Sequence, residues 1–249
     1  MTNLVNPYRF AVAGNQLPAG AIAHADFLTS YFYAGGAETT AAGMFDLYKP
    51  TRHTAQGYLV DWNIDYEGLN AKAALLADID TAMDNGITFY MEIEGPYKPT
   101  IEWIGFGDNT DLNDATYYLL MGGDLGGIHD RQGQIWDSIL VPDIQEWGAA
   151  VIVGSAGGPP SDPLVINKGA FCLYRDEGGG NFGVAASLNG ETAWGDTDVG
   201  IDGSTVTVDH CRWGGMPEWY IALGPDDYIR KITIYPAMTD GELEALSTL

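Results

Sequence analysis

Turn-forming residues interrupt this chain wherever a long helix would need to continue. Its 33 glycines and 12 prolines are spread along all 249 residues, with short apolar runs between them. Such punctuation leaves room for many short strands joined by turns and excludes an architecture of long helices. One stretch carries a helical period. In LNAKAALLADIDTAM, residues 69–83, Leu69, Ala73, Leu76, Ile79 and Met83 recur at three- and four-residue spacings, and Asn85-Gly86 closes the segment.

The strand candidates alternate instead. In GITFYMEIEG, Ile87, Phe89, Met91 and Ile93 face one side and Thr88, Tyr90, Glu92 and Glu94 the other, which predicts a half-buried strand with a polar outer face. FGVAASL puts Phe182, Val184, Ala186 and Leu188 on one face and runs into Asn189-Gly190, a strong hairpin signal. QGYLVDWNIDYE, TIEWIGFG, ATYYLLMGG, AAVIVGS, GAFCLYRDE, STVTVDHC and EWYIALG read as further strands. Near the C-terminus, Ile232 and Ile234 oppose Lys231, Thr233 and Tyr235, and Pro236, which has no N–H to give a ladder, stops that strand. Thr239-Asp-Gly-Glu242 then reads as a capping box, with Leu243 and Leu246 placed to hold a short helix down. The expectation is an all-β, antiparallel sandwich with one or two short helices. Residues 1–25 read as an arm or first edge strand and 26–249 as one sandwich domain, with no internal repeat and no dividing linker.

A net charge of -23, from 34 acidic against 11 basic residues, argues against nucleic acid and anionic membranes as partners. AAVIVGSAGG, the longest apolar run, is too short to span a bilayer, and MTNLVNPYRF lacks the basic and apolar regions of a secretory signal, so synthesis in a cytoplasm is expected. Cys172 and Cys211 form neither a disulfide framework nor a zinc spacing; two buried thiols are expected, with pairing left open.

ASLNGE, at 186–191, followed by EWYIALGPDDYIRKITIYPAMTDGELEALSTL, resembles the concanavalin A-like (laminin-G-like) jelly rolls of phage and prophage structural proteins. The closing pattern falls on Tyr228 to Pro236 and on Asp240 to Leu246, while GITFYMEIEG looks like an opening core strand and DFLTSYFYAGGA like a lead-in. The resemblance implies a jelly-roll sandwich whose last helix covers an open edge or end. It also implies a place on a phage or phage-like particle, as capsid decoration or fibre, but no reaction; a non-catalytic role is expected because the carboxylate motif of this fold's glycosidases is incomplete here. The expected partners are a host-surface glycan, from the loop tryptophans, neighbouring virion proteins docked through the arm, from its composition and position, and further copies of the chain. Decoration without sugar binding stays open.

Five features bear on chemistry. Glu92 and Glu94, two apart on one strand face, suit the paired carboxylates of a glycoside hydrolase or depolymerase. Glycosidases of this fold resemble that picture, but they carry an acid where Tyr90 stands and an aspartate where Glu92 stands. GDNTDLND gathers Asp108, Asn109, Asp111, Asn113 and Asp114, hard oxygen donors suited to calcium, without the glycine and final glutamate of an EF-hand. An acidic turn that binds nothing fits the same residues, and no cofactor is required. Among seven tryptophans, the strand-borne Trp62, Trp103 and Trp219 are expected in the core. Trp194 and Trp213, in ETAWGDTD and CRWGGMPEW, are expected in exposed loops where a sugar could stack. GGGNFG at 178–183 enters a strand rather than a helix and reads as a hairpin, not a phosphate loop. Ser155 and the four histidines form no nucleophile motif.

Overall fold

The computed structural model describes residues 16–47, 53–60, 68–95, 101–107, 116–122, 130–141, 144–147, 151–157, 165–190, 192–197, 202–205, 207–213 and 227–248. In chain order the first elements are β1 (Ala23–Asp26), β2 (Tyr31–Ala34), β3 (Ala37–Glu38), α1 (Ala41–Met44), β4 (Phe45–Leu47), β5 (His53–Thr54), β6 (Gly57–Val60), β7 (Leu69–Ala71) and α2 (Ala73–Met83). Next come β8 (Ile87–Gly95), β9 (Ile101–Gly107), β10 (Thr116–Gly122), β11 (Asp130–Val141), β12 (Ile144–Trp147) and β13 (Val151–Gly157). The last are β14 (Val165–Gly178), β15 (Asn181–Leu188), β16 (Trp194–Asp196), β17 (His210–Trp213), β18 (Asp227–Pro236) and α3 (Asp240–Ser247).

Two antiparallel sheets result. The ten-stranded sheet runs β16-β15-β14-β8-β18-β1-β2-β3, with β6 also on β18 and β5 on β6. The eight-stranded sheet runs β12-β11-β10-β9-β17-β7-β4, with β13 on β11. This is the all-β sandwich expected from the alternating segments. Its core lies between the sheets: Ile87, Phe89, Met91 and Ile93 of β8, Ile232 and Ile234 of β18 and Val184 and Ala186 of β15 meet Ile104, Phe106, Cys211 and Trp213. Phe89 stacks on Phe106 at 5.4 Å, and Phe45 meets Trp213 edge-on at 5.6 Å. Burying each large aliphatic or aromatic side chain of this kind stabilises by about 1.5–3 kcal/mol.

Local chemistry moves several boundaries. The helix begins at Ala73, not Leu69: Leu69 is a buried strand residue of β7, and Lys72 is the N-cap of α2. Leu69 had matched the helical stripe only by phase. STVTVDHC is strand only from His210; before it Gly203–Thr205 forms a 3-10 turn, in which Ser204 N–H donates to Asp202 Oδ1. Asp80 of α2 then accepts the Val208 N–H at 2.8 Å. The boundary expected between an arm and a domain at 25/26 falls inside β1, an interior strand between β18 and β2 with Ala23 and Ala25 fully buried. Residues 1–15 lie outside the described residues.

GGGNFG forms the turn between β14 and β15, as its approach to a strand implied. Thr239 and Glu242 make the expected capping box, and Leu243 is fully buried. The helix they start does not close an edge, however. α3 lies on the outer face of β14 and β15, where Leu243 and Leu246 pack on Ala170, Cys172, Ala185 and Ala193. The two cysteines are free and buried, Cys172 under α3 and Cys211 between the sheets. Burial pushes both thiols above their ordinary range. No helix among the described residues is long and apolar enough to cross a membrane.

Candidate functional site

The outer face of the ten-stranded sheet carries the candidate site, and an irregularity in β18 creates it. Ile229 and Ile232 are both fully buried yet three residues apart, so strict alternation must break between them. It breaks at a bulge between Ile229 and Lys231, where β18 slips against β8. The extra residue lets two successive cations, Arg230 and Lys231, reach the same carboxylate on the outer side.

That carboxylate is Glu92. Arg230 donates from Nε to Glu92 Oε1 at 2.7 Å and from Nη1 to Glu94 Oε2, so one guanidinium binds both acids of β8. Lys231 Nζ lies 3.4 Å from Glu92 Oε2, and the Tyr90 hydroxyl donates a long 3.4 Å hydrogen bond to the same oxygen. The side chains of Glu92 and Glu94 are only 6% and 13% exposed, against 20% for Arg230 and 32% for Lys231. The acids are therefore sunk in the sheet and the cations lie above them. Burial, reinforced by the Glu92 charge, pushes the Tyr90 phenol well above its ordinary range and keeps it a neutral donor.

Register extends the cluster across the sheet. Lys168 of β14, Glu92 of β8, Lys231 of β18, Asp26 of β1 and Tyr31 of β2 form one cross-strand row. Charge alternates along it, which is the favourable order for directly opposed pairs. The adjacent row is Ala170, Tyr90, Thr233, His24 and Tyr33. In it the His24 Nδ1 lies 2.8 Å from Thr233 Oγ1. Desolvation lowers the His24 pKa to about 4 despite the nearby Asp26, so the ring is neutral at pH 7. Asp26 is occupied as a turn acceptor for the Leu28 and Thr29 N–H groups.

The structure thus brings Glu92 and Glu94 together, as their spacing required, but on a face that is covered rather than openly solvated. An arginine fills the space between them where a glycosidase would need its substrate bond. Trp213 is the clear correction. It was expected in an exposed loop, but it lies on β17 with 0% exposure, packed against Phe45, and presents no face for sugar stacking. Its strand alternates Cys211 and Trp213 inward with His210 and Arg212 outward, a pattern masked in the sequence by the turn formers that follow. Trp194 is in β16, although its side chain lies outside the described residues, as do the side chains of Trp103, Trp136 and Trp147. Trp62, Trp219 and the whole Asp108, Asn109, Asp111, Asn113 and Asp114 set also lie outside the described residues. Sequence reasoning missed Arg230 and Lys231 as a pair. The available signal was IRKI, two cations enclosed by two inward isoleucines at a spacing only a bulge permits.

No sequence-family profile and no curated protein sequence matches the chain. Solved structures do match its fold. The CBM40 domain of the Ruminococcus gnavus IT-sialidase, bound to α2,6-sialyllactose, aligns at 15% identity with a TM-score of 0.51, over 77% of this chain and 93% of that one. A leech intramolecular trans-sialidase, complexed with 2,7-anhydro-Neu5Ac, aligns at 16% identity and a TM-score of 0.53, over 77% of this chain but 27% of its own length. The NanB sialidase from Streptococcus pneumoniae gives 14% identity and 0.52, over 76% of this chain and 28% of that one. The chain is similar to these in fold: a concanavalin A-like type of β-sandwich. It spans about a quarter of the whole sialidases and nearly all of the isolated CBM40 domain.

Proposed function

We propose that this chain is a glycan-binding module, and that the outer face of the ten-stranded sheet receives the carboxylate of an acidic sugar on Arg230 and Lys231. One observation carries the reading. A chain with 11 basic residues and a net charge of -23 sets Arg230 and Lys231 on Glu92, with Lys168 opposite it on the next strand and its Nζ held by the Thr248 carbonyl at 2.9 Å. Glu92 and Glu94 fix two donors of Arg230, which preorganises its remaining N–H groups toward a ligand. Tyr90 and His24, buried beside the cations, stay neutral and add no charge of their own. The CBM40 domain of similar fold, solved with sialyllactose, supports an acidic glycan as the ligand.

Titration with sialyllactose and with lactose tests this. The acidic sugar is expected to bind and the neutral one to bind at least about tenfold more weakly, with Lys231→Gln removing most of that difference. Equal affinity for the two sugars, or undiminished discrimination in Lys231→Gln, overturns the assignment.

The setting we infer is the surface of a phage or phage-like particle, where host glycan would be the target; it rests on the closing strand-and-helix pattern. Of the arm expected at residues 1–25, residues 1–22 are the natural docking segment for a neighbouring virion protein, because the chain from Ala23 is already part of the sheet. Unchanged particle incorporation after their deletion would argue against that role. The acidic set at 108–114 is proposed as a calcium loop, tested by repeating the titration with calcium and with chelator. A depolymerase acting through Glu92 and Glu94 is the less favoured reading, since Arg230 occupies both acids. Sugar cleavage abolished by Glu92→Gln would restore it.

A further inference from the structure

We propose that α3 is a separately releasable flap, whose opening uncovers Cys172 while the sandwich stays folded. The argument begins with where the apolar contacts lie. The inter-sheet core and the cluster under α3 are on opposite faces of the ten-stranded sheet and share no residue. Undocking α3 therefore breaks nothing between the sheets.

The surface beneath the helix is made of small side chains, Ala170, Cys172, Ala185 and Ala193, and Leu243 is its one large, fully buried anchor. Polar tethers do the rest. Arg175 donates to the Met238 carbonyl and to Asp240, Glu244 accepts the Ala193 N–H, and Ser187 pairs with Ser247. Water can replace each of these once the helix lifts. The hinge is also defined. Pro236 ends the β18 ladder, and the Ala237 N–H is held by the Gly86 carbonyl at 3.0 Å, so the chain is fixed up to Ala237; the Arg175 bond to the Met238 carbonyl is the first tether past that point and must break for the helix to lift. An eight-residue helix is too short to persist alone in water, even with its capping box, so release and melting are one event. Such a unit opens at lower free energy than global unfolding.

The two free cysteines supply the test, one under the flap and one in the core. The intact protein is labelled with a thiol reagent across a urea series below the unfolding transition. Each site is read by peptide mass spectrometry and scaled to its rate in the unfolded chain. Cys172 is expected to label without urea, at least about 100-fold faster than Cys211 and with a shallower urea dependence, because the local opening exposes little surface. Leu243→Ala should speed Cys172 by a further factor of about 30 or more, on the usual scale for a buried leucine, and Cys211 by no more than that factor, because α3 is undocked in the unfolded chain as well. Equal scaled rates with equal urea dependence, or no labelling of Cys172 before global unfolding, overturn the proposal. So does a Leu243→Ala chain in which Cys172 is no faster.

Discussion

Arg230 holds two carboxylates that the sheet has largely removed from water, and its loss would leave both uncompensated. Breaking a buried pair from one side costs about 3–5 kcal/mol, more than the pair adds relative to an apolar substitute. Arg230→Met is accordingly expected to lower unfolding stability by that order in urea titration, while Lys231→Gln, whose side chain is a third exposed, changes it little. A loss in Arg230→Met no larger than in Lys231→Gln would contradict the geometry. His24 gives a pH-dependent counterpart. Its folded pKa of about 4 lies below the ordinary 6.5, so the unfolded chain binds the proton more readily between those values. Stability from this group is complete above about pH 6.5 and is lost as pH falls toward 4, by about 3 kcal/mol at most. Asp26, Lys231 and Tyr31 surround the ring, and carboxylates titrate in the same range. The comparison is therefore with His24→Asn, whose stability should fall less steeply from pH 6.5 to 4.5. These two residues were hard to read from sequence for different reasons: Arg230 is turned outward by a bulge that period-2 reasoning does not contain, and His24 sits in AHAD, whose alanines carry no strand signature.

At the scale of elements, β8, β15 and the part of β18 beyond its bulge were legible because their inward residues alternate and end at unambiguous stops. β7 and α2 were merged because Leu69 falls in phase with the helix that follows it. β6 shows what a pattern cannot show, a close approach. Gly57 has φ +131, and a Cβ there would meet the Ile229 carbonyl oxygen at 2.5 Å, backbone against backbone where β6 joins β18. Neither the conformation nor the contact admits a side chain. Gly57→Ala should therefore cost at least about 1–3 kcal/mol, seen as a lower urea midpoint at unchanged slope. Because Ile229 begins the bulge that presents Arg230, the same substitution should weaken acidic-sugar binding more than Gly179→Ala does. Gly179 lies in the open turn after β14, where a Cβ meets nothing within 4 Å, although its φ of +72 is also positive. The strain at Gly179 without the clash makes it the fitting control.

The whole molecule sets a field that the site must work against. A net charge of -23 repels an acidic glycan at long range, whereas Arg230 and Lys231 attract it only at contact. The two effects respond differently to salt. At about 10 mM ionic strength the screening length is roughly 30 Å, so an approaching anion feels the acidic surface as a whole; at 0.15 M it is about 8 Å, and most of that repulsion is gone. Contact pairs seated on a partly buried face are screened much less. Association with sialyllactose should therefore quicken between these salt concentrations, and dissociation should quicken by a smaller factor, so that affinity holds or improves. A simple exposed cationic site on a neutral protein would do the reverse. Stopped-flow binding across the salt series, with lactose as the uncharged reference, separates the cases. Monotonic weakening with salt would mean that the ligand meets a local positive potential strong enough to outweigh the net charge, and would place the acidic-sugar contact away from Arg230 and Lys231.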